Sequence, residues 1–267
     1  MFDRRNNMKR ANFAVILMIL SMIMFGCKEN NPIIPDIPEP PEPTWDLLKF
    51  TLIDNGTAYE VSSDSTHATH IVIPSKYNGL PVTRIARRGF HEFRNLTDVT
   101  IPNSVTIIGN YAFANCYSLV TIDIPDSVTE IRFYAFSNCT SLTSLIIPDS
   151  VTAILDGAFF RCTNLESITL SNKLEIFYGN MFSGCSSLTS IFVPRSVFWM
   201  LEEAIAGVTN LTNLYIPIGV TNIVAAAIRY NGSNLTIYVE AKEKPISWSN
   251  NWNWSGYPVY WGATMPH

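Results

Sequence analysis

Apolar positions recur along this chain with a period of 23 residues. Leu96, Leu119, Leu142, Leu165, Leu188 and Leu211 mark the repeat. After each leading Leu, the residues three and five positions on are apolar, as in Val99 with Ile101 and Leu145 with Ile147. A separation of two puts both on one side of an extended chain, so each unit is predicted to begin with a short strand. Proline follows at Pro102, Pro125, Pro148, Pro194 and Pro217. It has no N–H to give to a ladder and ends the strand. Asn103-Ser104 and Asp126-Ser127 are turn formers. A second apolar pair comes next (Val105 and Ile108, then Val128 and Ile131), and an Ala-Phe step closes the unit at Ala112-Phe113, Ala135-Phe136 and Ala158-Phe159.

One such unit cannot bury its own apolar face. Stacked units can, because equivalent positions then form continuous columns, and this predicts a solenoid. The core columns are Leu, Val/Ile, Ile, Val, Ile, Ala, Phe and Cys, with Phe113, Phe136, Phe159 and Phe182 the heaviest. The ends depart from the pattern, as caps must. Ile71-Val72-Ile73-Pro74 begins an earlier unit, which resumes at Val82, Ile85 and Phe90 after an insertion around Tyr77-Asn78-Gly79. At the other end Ile237 and Val239 keep the register, and Trp248, Trp252, Trp254 and Trp261 follow. Two readings of these rings are open: a lid over the last coil, or a stacking surface for sugars.

Units reading L-x-x-I-x-I-P-x-S-V-x-x-I-x-x-x-A-F-x-x-C resemble the BspA-like leucine-rich repeats of bacterial surface proteins. The resemblance runs from about residue 50 to about 262, and the opening Thr66–Phe90 and the closing stretch from Ile237 to Trp261 are similar to that family's first and last units. It implies an α/β repeat fold: a leucine-rich-repeat solenoid of about seven 23-residue units, with short parallel strands, turn or short-helix returns, and capped ends. The expected solenoid spans 46–267, with an N-terminal cap at 46–68 and a Trp-rich C-terminal cap at 235–267. Ser104, Ser127, Ser150 and Ser196 stand where general leucine-rich repeats carry an Asn ladder, which breaks at Lys173 and Gly219. Ala204-Ile205 and Ala227-Ile228 replace the Ala-Phe signature, which leaves the coil path over 197–232 open. The resemblance also implies a cell-surface lipoprotein engaged in adhesion to host matrix proteins or to other cells.

No fixed binding residues come with the resemblance, so a ligand site must be read from the outward column. The residue between the two inward ones of each strand gives Val72, Thr100, Asp123, Ile146, Thr169, Phe192, Tyr215 and Tyr238. Parallel neighbours lie about 4.8 Å apart, so Phe192, Tyr215 and Tyr238 would form an exposed aromatic ladder. The flanking column, which includes Ser190 and Asn213, is small and polar. Exposed aromatics with a polar rim mark interaction sites, and Ile146, Phe192, Tyr215, Tyr238, Ser190 and Asn213 are the candidate binding residues. The competing reading is cross-strand packing that only stiffens the sheet.

Composition adds the compartment. Lys9 and Arg10 precede an apolar run of 13 residues, Phe13–Phe25, broken only by Ser21. A spanning helix needs about 20 such residues, so residues 1–26 read as an export signal. Met24-Phe25-Gly26-Cys27 resembles a lipobox, with Met and Phe where Leu and a small residue are usual. That implies a lipid anchor on Cys27. Cleavage without lipid and an uncleaved segment are the alternatives. Residues 27–45 read as a tether, because six prolines among residues 31–44 exclude helix and central strand. In the polyproline II state it would reach roughly 40 Å. Without the four basic residues and one acid that precede position 27, 14 basic and 21 acidic residues remain, a balance of −7. That balance excludes binding to nucleic-acid phosphates as a plausible function.

Catalytic signatures are absent: the sequence has no H-E-x-x-H, G-x-S-x-G or phosphate loop. His67, His70, His91 and His267 have no partner at metal spacing, so neither metal nor cofactor is expected. Cys116, Cys139, Cys162 and Cys185 share one repeat position, which favours buried thiols over paired neighbours or a metal site. The sequence reads as a non-enzymatic protein, exported and lipid-anchored to the bacterial outer membrane or cell surface, that presents a binding face to an extracellular protein or glycan. A periplasm-facing scaffold for envelope partners is the alternative.

Overall fold

A computed structural model of the chain describes residues 44–264. The expected export signal, Cys27, the Pro-rich stretch up to residue 43 and His267 lie outside these residues. The chain winds into a parallel-strand solenoid. Front strands lie at His70–Val72, Asp98–Thr100, Ser144–Ile146, Ser167–Thr169, Ser190–Phe192, Asn213–Ile216, Thr236–Val239 and Val259–Trp261. Residues 121–123 hold the equivalent place without forming a strand, and no pairing joins Ser167–Thr169 to Ser190–Phe192, so the front strands fall into three sheets. Counted by front positions, the molecule has about nine turns rather than about seven. The difference lies at the C-terminal end, where the unit beginning near Thr236 and a last turn at Val259 complete the stack.

A second column of short strands forms another side of each coil. Ile107–Ile108, Glu130–Ile131 and Ala153–Ile154 run parallel in it, continuing Leu80–Ile85. Ile176–Phe177, Trp199–Met200 and Asn222–Ile223 continue the same position further along. Across the 197–232 region the register therefore holds. Ile205–Ala206 pairs with Ile228–Arg229, and both Ala-Ile steps are fully buried.

The returns contain no helix. Among the described residues the only helical segments are two 3-10 turns near the N-terminal end, Thr44–Leu47 and Asp54–Gly56. The cause is visible in the backbone of each return. Two residues four apart take a left-handed conformation, such as Tyr111 (φ 57) with Asn115 (φ 64) and Tyr134 (φ 53) with Asn138 (φ 58). A right-handed helix cannot pass through such residues. The reversal also turns alternate N–H groups toward the next coil. Tyr111, Phe113 and Asn115 donate to the carbonyls of Phe133, Ala135 and Ser137 at 2.8–2.9 Å, while Ala112, Ala114 and Cys116 close turns on carbonyls three residues back.

The interior is a set of columns. Phe90, Phe113, Phe136, Phe159 and Phe182 stack in sequence with ring centroids 5.4–5.8 Å apart and nearly parallel planes. Cys116, Cys139, Cys162 and Cys185 are free and buried beside them. Each thiol donates to the carbonyl of the Phe 26 residues earlier, at 3.0–3.3 Å. Burial pushes the Cys116 thiol up to about 12 and raises those of Cys139 and Cys185 as well. All three hold their protons at neutral pH and have little nucleophilic character.

Both ends are closed differently from the middle. Leu48–Ile53 and Ala58–Ser63 form an antiparallel hairpin, and the second of these strands pairs in parallel with Leu80–Ile85. The Tyr77-Asn78-Gly79 insertion is a second hairpin, whose turn residues Asn78 and Gly79 both have positive φ (48 and 83). Asn-Gly is the pair that tolerates such a turn best. At the far end Trp248 and Trp252 are buried and cluster with Trp261 at centroid distances of 5.0–6.2 Å. These three rings pack together in one cluster at this end of the stack. Trp254 stays 58% exposed and takes no part in it.

Candidate binding face

The front strands set the geometry of the face. Phe192 and Tyr215 point out because the residues on either side of them, Ile191 and Val193 or Leu214 and Ile216, are fixed in the core. Parallel pairing aligns Ser190 with Asn213, and Phe192 with Tyr215. It then aligns Tyr215 with Tyr238, and Tyr238 with Tyr260. The resulting rings form one stack. Centroid distances are 4.6, 4.9 and 5.6 Å, with interplanar angles of 1°, 15° and 16°. Phe192 is 48% and Tyr260 60% exposed, and the two central tyrosines are half-buried between them.

Five of the six residues chosen from the sequence thus come together: Phe192, Tyr215, Tyr238, Ser190 and Asn213. The Asn213 amide donates to Thr212 Oγ1 at 2.9 Å and reaches Ser190 Oγ at 3.5 Å, which holds the polar rim beside the ladder. Ile146 stands apart. It is 71% exposed, two coils before Phe192, and borders a shallow open depression with Thr121, Asp123, Asp126 and Ser144. This depression lies where residues 121–123 fail to join the front sheet.

Tyr260 is the member that sequence reasoning missed. It lies 22 residues after Tyr238, one short of the repeat, so the 23-residue register points to Trp261 in its place. The last turn is one residue shorter, and the pairing of Tyr238 with Tyr260 is the result.

Beside the ladder, Arg195 reaches past the next coil to Glu240. Both guanidinium nitrogens donate to the carboxylate at 3.0 Å, and the Ile218 N–H donates to the same carboxylate at 2.9 Å. The Ile218 N–H, and then Arg195, hold the Glu240 carboxyl below the ordinary carboxylate range. On the inner side of the coils Ser104, Ser127 and Ser196 each donate to a carbonyl 22 residues back, at 2.6–2.8 Å. Ser150 Oγ is buried with no partner among the described residues. Among the described residues no three His, Cys, Asp or Glu side chains are arranged to hold a metal ion.

Several solved bacterial structures are similar to this chain. A T. pallidum leucine rich repeat protein (TpLRR) is 24% identical, with 82% of this chain and 98% of that one covered, at a TM-score of 0.49. A leucine-rich repeat protein from Bacteroides ovatus is 25% identical over 82% and 70% of the two chains, at 0.46. A leucine rich cell surface protein from Faecalibacterium prausnitzii is 17% identical over 82% and 97%, at 0.32. Comparison with curated proteins finds no match. Leucine-rich repeat folds typically serve as non-enzymatic, protein-binding scaffolds. The family model for the BspA type leucine rich repeat region matches residues 63–152 and 129–247 in six copies, and with its core columns, front strands and turn-built returns the chain belongs to that family.

Proposed function

We propose that this protein is a lipid-anchored cell-surface binder that uses the aromatic half of its front face for adhesion to an extracellular protein or glycan. The stack of Phe192, Tyr215, Tyr238 and Tyr260 carries the reading, because four aromatic rings are kept in contact with solvent on one face. Such rings are costly to expose unless they are covered in a complex. In this reading residues 1–26 direct export, Cys27 carries the lipid, and the Pro-rich segment 27–45 holds the solenoid off the membrane. The solenoid from residue 46 to 267, which includes its two caps, presents the face.

Two linked measurements test this. The first is protease shaving of intact cells, with lysed cells as control. Loss of the solenoid from intact cells is expected. Protection until lysis would favour an envelope scaffold instead. The second compares adhesion of cells carrying the native chain with cells carrying Phe192→Ser, Tyr215→Ser and Tyr238→Ser together, on surfaces coated with extracellular-matrix protein or polysaccharide. The triple variant should fold and be displayed but lose adhesion. Undiminished adhesion would assign the ladder to sheet packing alone.

A further inference from the structure

The front face is chemically divided along its length. Its later half carries the ladder. Its earlier half carries Asp98, Asp123, Asp126, Asp149 and Glu166 at front-strand or adjoining turn positions. Among the described residues none of these five takes part in an ion pair, and all but Asp98 are exposed. Between residues 95 and 172 the only basic residues are Arg132 and Arg161. The first pairs with Glu130 on the second strand column, and the second lies in a return over Phe160. Among the described residues no basic side chain pairs with the acids on this part of the front, and the next cation along the chain is Lys173, which follows Asn172, whose N–H donates to Asp149 Oδ1 at 2.7 Å.

The ladder itself narrows the class of ligand. A sugar packs its C–H face on the flat of an aromatic ring, but here each central ring has both flats covered by its neighbours at 4.6–5.6 Å. What the two central rings turn outward is a ridge of ring edges and tyrosine hydroxyls. Edges accept other aromatic rings in T-shaped contact and apolar side chains alongside, and the hydroxyls meet backbone carbonyls and N–H groups. The rim of Ser190, Asn213 and Thr236 is uncharged, as at the centre of protein–protein interfaces.

Building on the adhesive reading above, we infer that the ligand is an extended polypeptide segment lying across the coils, with an aromatic or apolar stretch on the ladder and a lysine or arginine in the depression beside Ile146. There the aliphatic stem rests on Ile146, and the cationic head meets Asp123 and Asp126, which line the same depression. Phe192 is two to three coils beyond this depression, about 10–14 Å at strand spacing, or three to four residues of extended chain. The recognised motif is therefore a basic residue followed or preceded, three or four positions away, by the first of the apolar residues.

Short synthetic peptides on a neutral Gly/Ser/Thr background test this against the mature full-length chain. Each carries one Arg and a Phe-Tyr pair, with the separation stepped one position at a time in both orders. Binding should peak at a separation of three or four and weaken as salt rises. Asp123→Asn with Asp126→Asn should weaken the best peptide about tenfold, the loss of two exposed attractions. Binding without a spacing optimum, binding indifferent to the Asn pair, or no binding at any spacing would overturn the inference. A panel of oligosaccharides run in parallel separates the two levels of argument. Sugar capture abolished by the ladder variant, without peptide binding, overturns the polypeptide assignment and leaves the ladder a ligand site. Adhesion that survives the ladder variant removes both.

Discussion

At the scale of the residue, two positions summarise how this backbone is built. Phe136 lies at the middle of five stacked rings and is fully buried, with Phe113 and Phe159 on its two flats. Phe136→Ala should cost about 3–5 kcal/mol, because its neighbours are held by their own coils and cannot collapse into the gap. Urea titration of the two proteins checks this. Glu92 occupies the left-handed position of its return (φ 64) that Asn115 and Asn138 fill in the next two coils. There the Asn138 amide donates to Asn115 Oδ1 at 2.8 Å. Asn enters this conformation more readily than Glu, so Glu92→Asn should add about 0.5–1 kcal/mol of stability in the same titration. A loss would show that the Glu side chain has work of its own there.

At the scale of the element, the serine column separates a satisfied group from an unsatisfied one. Ser127 Oγ donates to Val105 O at 2.7 Å, and Ser150, one coil on, is buried without a partner among the described residues. Ser127→Ala should therefore cost about 1–2 kcal/mol, and Ser150→Ala should be neutral or stabilising. Equal losses from both would refute the distinction. The Arg195–Glu240 clamp gives a pH signature. The carboxyl titrates below its ordinary range because Ile218 N–H and Arg195 favour the anion. Its contribution is thus complete above the unfolded value of about 4.3 and is lost as pH falls through the depressed folded value. The side chain is 24% exposed and Arg195 62%, so the contribution is about 1 kcal/mol or less. Native protein should exceed Glu240→Gln in stability at pH 7, with the gap closing below about pH 4. A gap that stays constant down to acid denaturation would exclude the clamp as its source.

At the scale of the whole molecule, what the sequence disclosed was whatever repeats. Leu96, Ile108, Phe113 and Cys116 and their equivalents each have one inward place per coil, so the period alone located the core. The outward column followed by elimination, and with it Phe192, Tyr215 and Tyr238. The features that escaped are those where the period fails or where periodicity says nothing. Tyr260 was hidden by a turn one residue short. The gap in the front sheet at residues 121–123 keeps the consensus, so no pattern marks it. The returns read as turn or short helix, because left-handed residues as varied as Tyr111, Tyr134 and Arg161 carry no common sequence sign. The coil count fell short because the end units keep the columns but not the consensus.

The fixed register of one coil on the next has a consequence for how such a molecule can change. From Phe90 to Phe182 each inner Phe meets the Phe of the coil before it and of the coil after it, and from Cys116 to Cys185 each thiol meets a carbonyl 26 residues earlier. A recombination that excised residues 142–164 would bring Phe136 against Phe182 and Cys139 against Cys185, with every interior neighbour the same in kind. The front would shorten by about 4.8 Å. The gene can therefore gain or lose reach in whole coils while the interior stays intact. A gain or loss of any other length must be taken up outside the columns, as the Tyr77-Asn78-Gly79 hairpin is, or the coils beyond it lose their register.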